Sequence, residues 1–214
     1  MTGALKMVRL DLFTMKSQLF AYLTPVISGF LGLYLDNPFI IIAINVAWFS
    51  ALNASNIFAV QENNKLERLY GSVSIRQKDV VLGRYIFMFL SAVLSFLTAV
   101  IVSCGYMLFH NKTWNTIDIL LALGISLVGY SAITGISFPI FFKLGYLKAK
   151  SRFMLTYFII LGILVMPFFG GGGLSLPDLL FSNKTAITVA LLVGSILTQY
   201  ISYRFSIHAY RNRA

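Results

Sequence analysis

The chain has 214 residues, 58% of them hydrophobic and only 11% charged, with a formal net charge of +10. A soluble globular protein carries about 25% charged residues, so a water-soluble fold would lack the polar surface to cover itself, and part of this chain's solvent must be lipid. In a soluble chain the basic excess would point to nucleic acid; here Lys and Arg lie between long apolar runs and read as the charge asymmetry of a membrane protein.

The first stretch, 1–16, holds Lys6, Arg9, Asp11 and Lys16 and no small-residue cleavage site behind a short apolar core, so it reads as retained structure and not as a cleavable signal. Leu5, Val8, Leu12 and Met15 follow helical spacing, while Leu10 and Phe13 interrupt the other face. A helix lying in the membrane interface is expected, with a frayed basic tail as the alternative. The first apolar span is 17–35, with Pro25 inside it, and Asp36-Asn37-Pro38 forms a turn into the second span, 39–60. Asn45, Asn53 and Asn56 fall on one face of that second span. A polar stretch, 60–84, follows. The third span is 85–109, then a short loop with the interfacial Trp114, and the fourth span is 117–142 with Pro139 near its end. A second basic loop, 143–152, leads into a fifth span, 153–169, expected to break at Pro167. Four consecutive glycines, 170–173, and an apolar segment too short to span, 174–181, precede the sixth span, 185–205. A short extracytoplasmic helical segment or a loop fits 174–181. No internal repeat or separate soluble domain is visible, so 1–214 reads as a single transmembrane domain.

Six spans put both termini on one side of the membrane. Fifteen of the 17 Lys and Arg then fall on that side, leaving Lys112 and Lys184 on the other. The positive-inside rule makes the termini and the 60–84 stretch cytoplasmic, in a plasma membrane.

The spans carry no acid or base in their cores, no HExxH helix and no GxxxxGK(S/T) loop. Ion-coupled transporters and intramembrane proteases need ionisable groups at mid-membrane. The chain therefore reads as a non-enzyme with no cofactor of its own, and any pumping would draw energy from another chain. Cys104 is the single cysteine and can form no intramolecular disulfide. The face bearing Asn45, Asn53 and Asn56 reads either as interhelical hydrogen-bonding glue, worth about 0.6 kcal/mol per contact, or as the lining of a substrate path. Gly124, Ser126, Gly129, Ser131, Gly135 and Ser137 suit close helix packing.

The 60–84 stretch parses into two pieces. Residues 62–70 are helix-compatible, with Glu62 and Lys65 three apart, and Gly71 is a helix stop. Ser74 and Gln77 then have capping-box spacing, so a new helix is expected from about Ile75 into the third span. A short mixed-charge helix between two spans can dock on a soluble partner; an ordinary solvated loop is the plain alternative.

The run Ser72-Val73-Ser74-Ile75-Arg76-Gln77-Lys78-Asp79-Val80-Val81-Leu82-Gly83-Arg84-Tyr85, preceded by Glu62 and Lys65, resembles the region after span two in ABC type-2 (exporter-type) permeases. In the small six-span branch of that family, which includes membrane subunits of phenol-soluble modulin exporters, the pattern is roughly S-L-P-I/V-S/T-R-K-x-I/V-I/V-x-S/G-K/R-Y. Ser74 stands where the family usually has Pro, and a capping Ser can set the same turn. The layout of an amphipathic start, six spans and an extracytoplasmic segment between spans five and six is also similar. The resemblance implies an all-α membrane protein acting as half of a transporter. It would pair with a second permease copy and with a separate P-loop ATPase that binds the ATP. Residues 62–70 would be the coupling helix, with Glu62, Lys65, Glu67, Arg68, Tyr70 and Arg76 facing the ATPase, and the 143–152 loop could add a contact. The substrate would be hydrophobic or amphipathic, moved outward. A different class of function stays open from the residues alone: a non-transporting scaffold, immunity or sensor subunit using the same loop. A stand-alone channel is disfavoured by the absence of charged pore residues.

Overall fold

In lipid every backbone N–H and C=O must be satisfied within the protein, which restricts a chain this apolar to helices or a closed barrel. A computed structural model of the chain describes residues 3–15, 38–66, 76–109, 116–169 and 184–212, and the regular structure in them is helical throughout. The helices are α1 (Gly3–Met15), α2 (Pro38–Asn63), α3 (Gln77–Phe109), α4 (Thr116–Leu144), α5 (Tyr146–Phe169) and α6 (Lys184–Arg211). Among the described residues, three stretches are long and apolar enough to cross a membrane: Gln77–Phe109, Ile119–Leu144 and Thr185–Arg211. The expected first span at 17–35, the loop at 110–115 and the glycine-rich and apolar segments at 170–181 lie outside the described residues.

Helix α3 has 33 residues, about 50 Å at the usual helical rise, whereas the hydrocarbon core is about 30 Å thick. Its first two turns can therefore stand outside the apolar layer. It begins at Gln77, two residues after the expected start, with the Arg76 carbonyl accepting from Asp79 N (2.9 Å) and Val80 N (3.2 Å). Ser74 lies outside the described residues. Pro38 opens α2, where its missing N–H costs nothing. Helix α5 runs through Pro167 to Phe169 without the expected break.

The expected basic loop at 143–152 is instead a one-residue corner. Gly145 takes φ 77°, a left-handed conformation open to glycine at little cost. Its N–H donates to Phe141 O at 2.9 Å, closing α4, and α5 starts at the next residue. Lys148, Lys150 and Arg152 consequently ride on the first two turns of α5. Charge in this stretch suggests a loop, but the backbone stays helical and carries the cations on its first turns.

Helix α1 forms as expected. Ala4, Met7, Val8 and Asp11 face the bundle, while Leu5, Leu12 and Phe13 are exposed. Spacing alone cannot tell which of two part-apolar faces goes inward; Gly83 decides it. A Cβ built on Gly83 would lie 2.6 Å from Met7 Cβ and 2.9 Å from the Ala4 carbonyl oxygen, so only glycine lets α1 approach α3 this closely. At the start of α1 the Asp79 carboxylate lies against Gly3, a favourable place for negative charge beside a helix N-terminus.

Small residues also set the pairing of α4 with α6. Gly124 faces Thr188 and Leu191, and Gly135, three turns on, faces Thr198 and Ser202. Pro139 sits inside α4 and has no N–H for the carbonyl four residues back, Gly135. Ser202 on α6 supplies the missing donor, its Oγ lying 2.8 Å from Gly135 O. That use of the Ser202 hydrogen fixes the next link. Tyr85 OH, 2.5 Å away, must donate to Ser202 Oγ, and Ser206 Oγ, 2.9 Å away, then donates to Tyr85. A proline in one helix thereby orders a hydrogen-bond chain across α3, α4 and α6. Gln199 Nε2 adds a bond to Thr134 Oγ1 at 2.6 Å. Outward faces stay apolar, with Leu94, Leu97 and Ile101 on α3, Phe158 and Ile159 on α5, and Ile196, Leu197 and Ile201 on α6 all exposed, as lipid contact requires.

The tight α1–α3 contact predicts opposite effects for two alanines in one helix. Gly83→Ala should destabilise the folded protein in detergent by about 1–3 kcal/mol through overpacking. Gly105→Ala, where an added Cβ meets nothing within 4 Å, should be neutral or stabilising by up to about 1 kcal/mol. Thermal melts of the two variants compare them directly; equal shifts would contradict the packing described.

Candidate functional site at the basic end of the bundle

Five chain segments meet at one end of the bundle: the end of α2, the start of α3, the α4–α5 corner, the last turns of α6, and α1 alongside. At their centre is Arg84. It directly precedes the apolar run of α3 and reads in the sequence as one more surface cation, yet its side chain is 0% exposed. Its guanidinium stands over the Phe58 ring at 4.5 Å and the Phe142 ring at 5.9 Å. Asp11 Oδ2, from α1, lies 4.0 Å from Arg84 Nε. Arg84 thus joins α1, α2, α3 and α4.

Around it the packing is aromatic. Phe58 stacks on Phe141 (4.8 Å between centroids) and meets Phe138 and Phe142 edge-on at 5.4 and 5.1 Å. Tyr85 meets Phe138 edge-on at 4.8 Å, and Phe142 packs on Tyr210 of α6 at 5.3 Å. Offset and edge-on geometry is the favoured one for ring quadrupoles, and the ring faces give the buried cation an electrostatic partner where water is excluded.

Asp11 is 2% exposed and is the only acid in α1. Burial pushes its carboxyl up to about 6, and the nearby Arg84 pulls it down only in part. The sequence signal for this pair was available in that lone acid in a basic, amphipathic segment, but its partner, some 70 positions away, was not.

The expected coupling residues are distributed as follows. Glu62 lies on α2 itself, which continues through Asn63 before the chain turns at Asn64 and Lys65. Lys65 N donates to Glu62 O at 3.2 Å, and Lys65 has φ 50°, the one positive φ of a non-glycine among the described residues. Glu62 is half-buried, and its Oε2 accepts from the backbone N–H groups of Tyr146 and of Leu147, the latter at 3.2 Å. The carboxylate thereby caps the N-terminus of α5, satisfying donors no helix can pair for itself. Leu66, next after the turn, packs on Met7 and Val80. Lys65 and Arg76 are exposed at the two edges of the 67–75 segment. Glu67, Arg68 and Tyr70 lie outside the described residues.

The asparagine face is mostly internal. Asn45 and Asn53 are buried and Asn56 is half-buried. Asn53 is 0% exposed, and neither of its amide atoms meets a hydrogen-bond partner among the described residues.

These features define an all-helical, multi-pass integral membrane protein whose helix ends are locked together on one side. A family model described as ABC-2 family transporter protein matches residues 6–211, nearly the whole chain, and the chain belongs to that family. It is thus of the class of membrane-embedded permease components of ABC transporters, a class that implies partnership with an ABC ATPase. No curated protein and no solved structure matches the chain significantly.

Because docked Asp11 holds its proton up to about pH 6 and a solvated aspartate only to about pH 4, the folded state binds more protons than the unfolded one between these values. Stability should therefore fall as pH rises from about 4 to about 6 and then level off. Thermal midpoints across pH 4–7, taken as the difference between wild type and Asp11→Asn, should show this slope; a flat difference curve would contradict the buried placement of Asp11.

Proposed function

We propose that the chain is the membrane subunit of an ATP-driven exporter, with two copies pairing and each engaging a separate ATPase through the 62–76 region. The family match over residues 6–211 carries this reading. In it the protein spans the membrane six times, the basic end and both termini face the cytoplasm, and the membrane is the bacterial plasma membrane, in keeping with the Lys and Arg distribution. Resemblance of the 72–85 stretch to the small six-span permease branch favours a hydrophobic or amphipathic cargo such as a peptide.

The geometry supports a route for force. A push on the 67–75 segment meets two roots. One is the end of α2, tied by Glu62 to α5 and by Leu66 to α1 and α3. The other is the start of α3, tied by Arg84 to α1, α2 and α4. Coupling requires roots of this kind, since a segment hung on frayed ends would bend without moving the spans. In this reading Glu62 positions α5, while Lys65, Glu67, Arg68, Tyr70 and Arg76 face the ATPase. The amphipathic helix α1 lies in the interface with Leu5, Leu12 and Phe13 toward lipid, and the face bearing Asn45, Asn53 and Asn56, buried between helices here, meets the cargo when the spans move apart.

Affinity purification with the ATPase encoded nearest the permease tests the proposal. The two should co-purify, and Arg68→Glu should weaken their association by about tenfold or more by setting like charges together. If no ATPase co-purifies and the charge reversal leaves transport intact, the coupling of the 62–76 region to an ATPase is wrong.

A further inference from the structure

Where α4 ends, beside the second turn of α5 and the last turns of α6, a cavity of about 460 Å³ opens at the basic end. Its wall is apolar, formed by Ile140, Leu144 and Phe205. Its rim carries two cations, Lys143 from α4 and Arg152 from α5, beside the His208 imidazole from α6. Asn212 Nδ2 lies 3.0 Å from His208 Nε2 and steadies the ring. Among the described residues no carboxylate lies within ion-pair distance of Lys143 or Arg152; the one ion pair found there is Asp11–Arg84. Arg204 and Arg211, exposed on the same stretch of α6, add to the positive field.

The depth of the cavity matters as much as its charge. The candidate spans Ile119–Leu144 and Thr185–Arg211 both end here, which would set the cavity near the level where hydrocarbon gives way to headgroups. An occupant must therefore present an anion to the rim and an apolar chain to the wall at one membrane depth. A volume of this size is in the range of ligand sites. A free phosphate would leave the apolar wall unfilled, and a neutral lipid would leave the cations unmatched.

We propose that this cavity is a binding site for an anionic phospholipid of the leaflet at the basic end. Its phosphate is held by Lys143, Arg152 and His208, and the upper part of an acyl chain lies along Ile140, Leu144 and Phe205. The site is distinct from the 62–76 region and does not depend on export or on membrane orientation. It would bring a lipid to the joint of α4, α5 and α6.

Delipidated protein in detergent, titrated with phosphatidylglycerol and with phosphatidylcholine and read by native mass spectrometry, tests the site. Lys143→Gln with Arg152→Gln should weaken phosphatidylglycerol binding roughly thirtyfold, about what two interfacial cations contribute, and leave phosphatidylcholine unchanged. Lys78→Gln with Lys148→Gln removes the same charge from the same end outside the cavity and should change binding less than about threefold. Ala209→Trp, which keeps every charge but fills the cavity, should abolish binding of phosphatidylglycerol, and millimolar inorganic phosphate should not displace it. Equal losses in the two charge-pair variants would reduce the effect to general surface attraction and overturn the proposal. Binding that survives Ala209→Trp, or displacement by inorganic phosphate, would overturn it as well.

Discussion

Placing one arginine where no water reaches it constrains the whole basic end of the bundle. A buried guanidinium costs several kcal/mol in desolvation unless its surroundings compensate. The surroundings of Arg84 come from four helices: a carboxylate from α1, aromatic faces from α2 and α4, and the backbone of α3 that carries it. None of these partners can withdraw without leaving a charge in an apolar cage. The interaction is therefore less a source of net stability than a condition of assembly, selecting the arrangement in which all four helices are present. Packing of Phe58 against Phe138, Phe141 and Phe142 fills the space around it, so the cage is made of rigid rings that do not collapse when one neighbour shifts.

A second constraint follows from Pro139. Inside α4 it deprives the Gly135 carbonyl of its helical donor, and Ser202, Tyr85 and Ser206 form the chain of hydroxyls that answers the loss. Lipid supplies no water to do so instead. Tyr85 adjoins Arg84, so the charge cage and the hydroxyl chain share a turn of α3. With Glu62 capping α5 from the end of α2, the ends of α2 and α3 are each anchored to neighbours, which is the property a pair of helices needs if the segment between them is to pass motion on.

The sequence made the helical class and the apolar runs legible, because hydropathy and length alone require them. Membership of the ABC-2 family was legible too, from the 72–85 motif together with the layout, and the match over 6–211 agrees with it. Close packing at Gly124 and Gly135 was readable from small residues at helical spacing. What failed was whatever depends on residues distant in sequence. Arg84 and Asp11 counted as surface charge because nothing local says that a cation at a span end faces inward. Which face of α1 turns inward could not be read from spacing, because Gly83, some 75 positions on, decides it. The 143–152 stretch looked like a loop because its charges obscured a helix with a one-residue corner. Glu62 was legible as a helix-surface carboxylate at the end of span two, but its partner, the N-terminus of α5, could not be read from any spacing.

The basic end of the bundle depends on Arg84 and Asp11 acting as one unit within the folded protein. A double-mutant cycle with Asp11→Asn and Arg84→Met, read as unfolding free energy in detergent at pH 7, measures this directly. Contact within the cage predicts a coupling energy of about 1–3 kcal/mol, the double variant being less destabilised than the sum of the singles. Additivity to within about 0.4 kcal/mol would mean that the two charges do not meet.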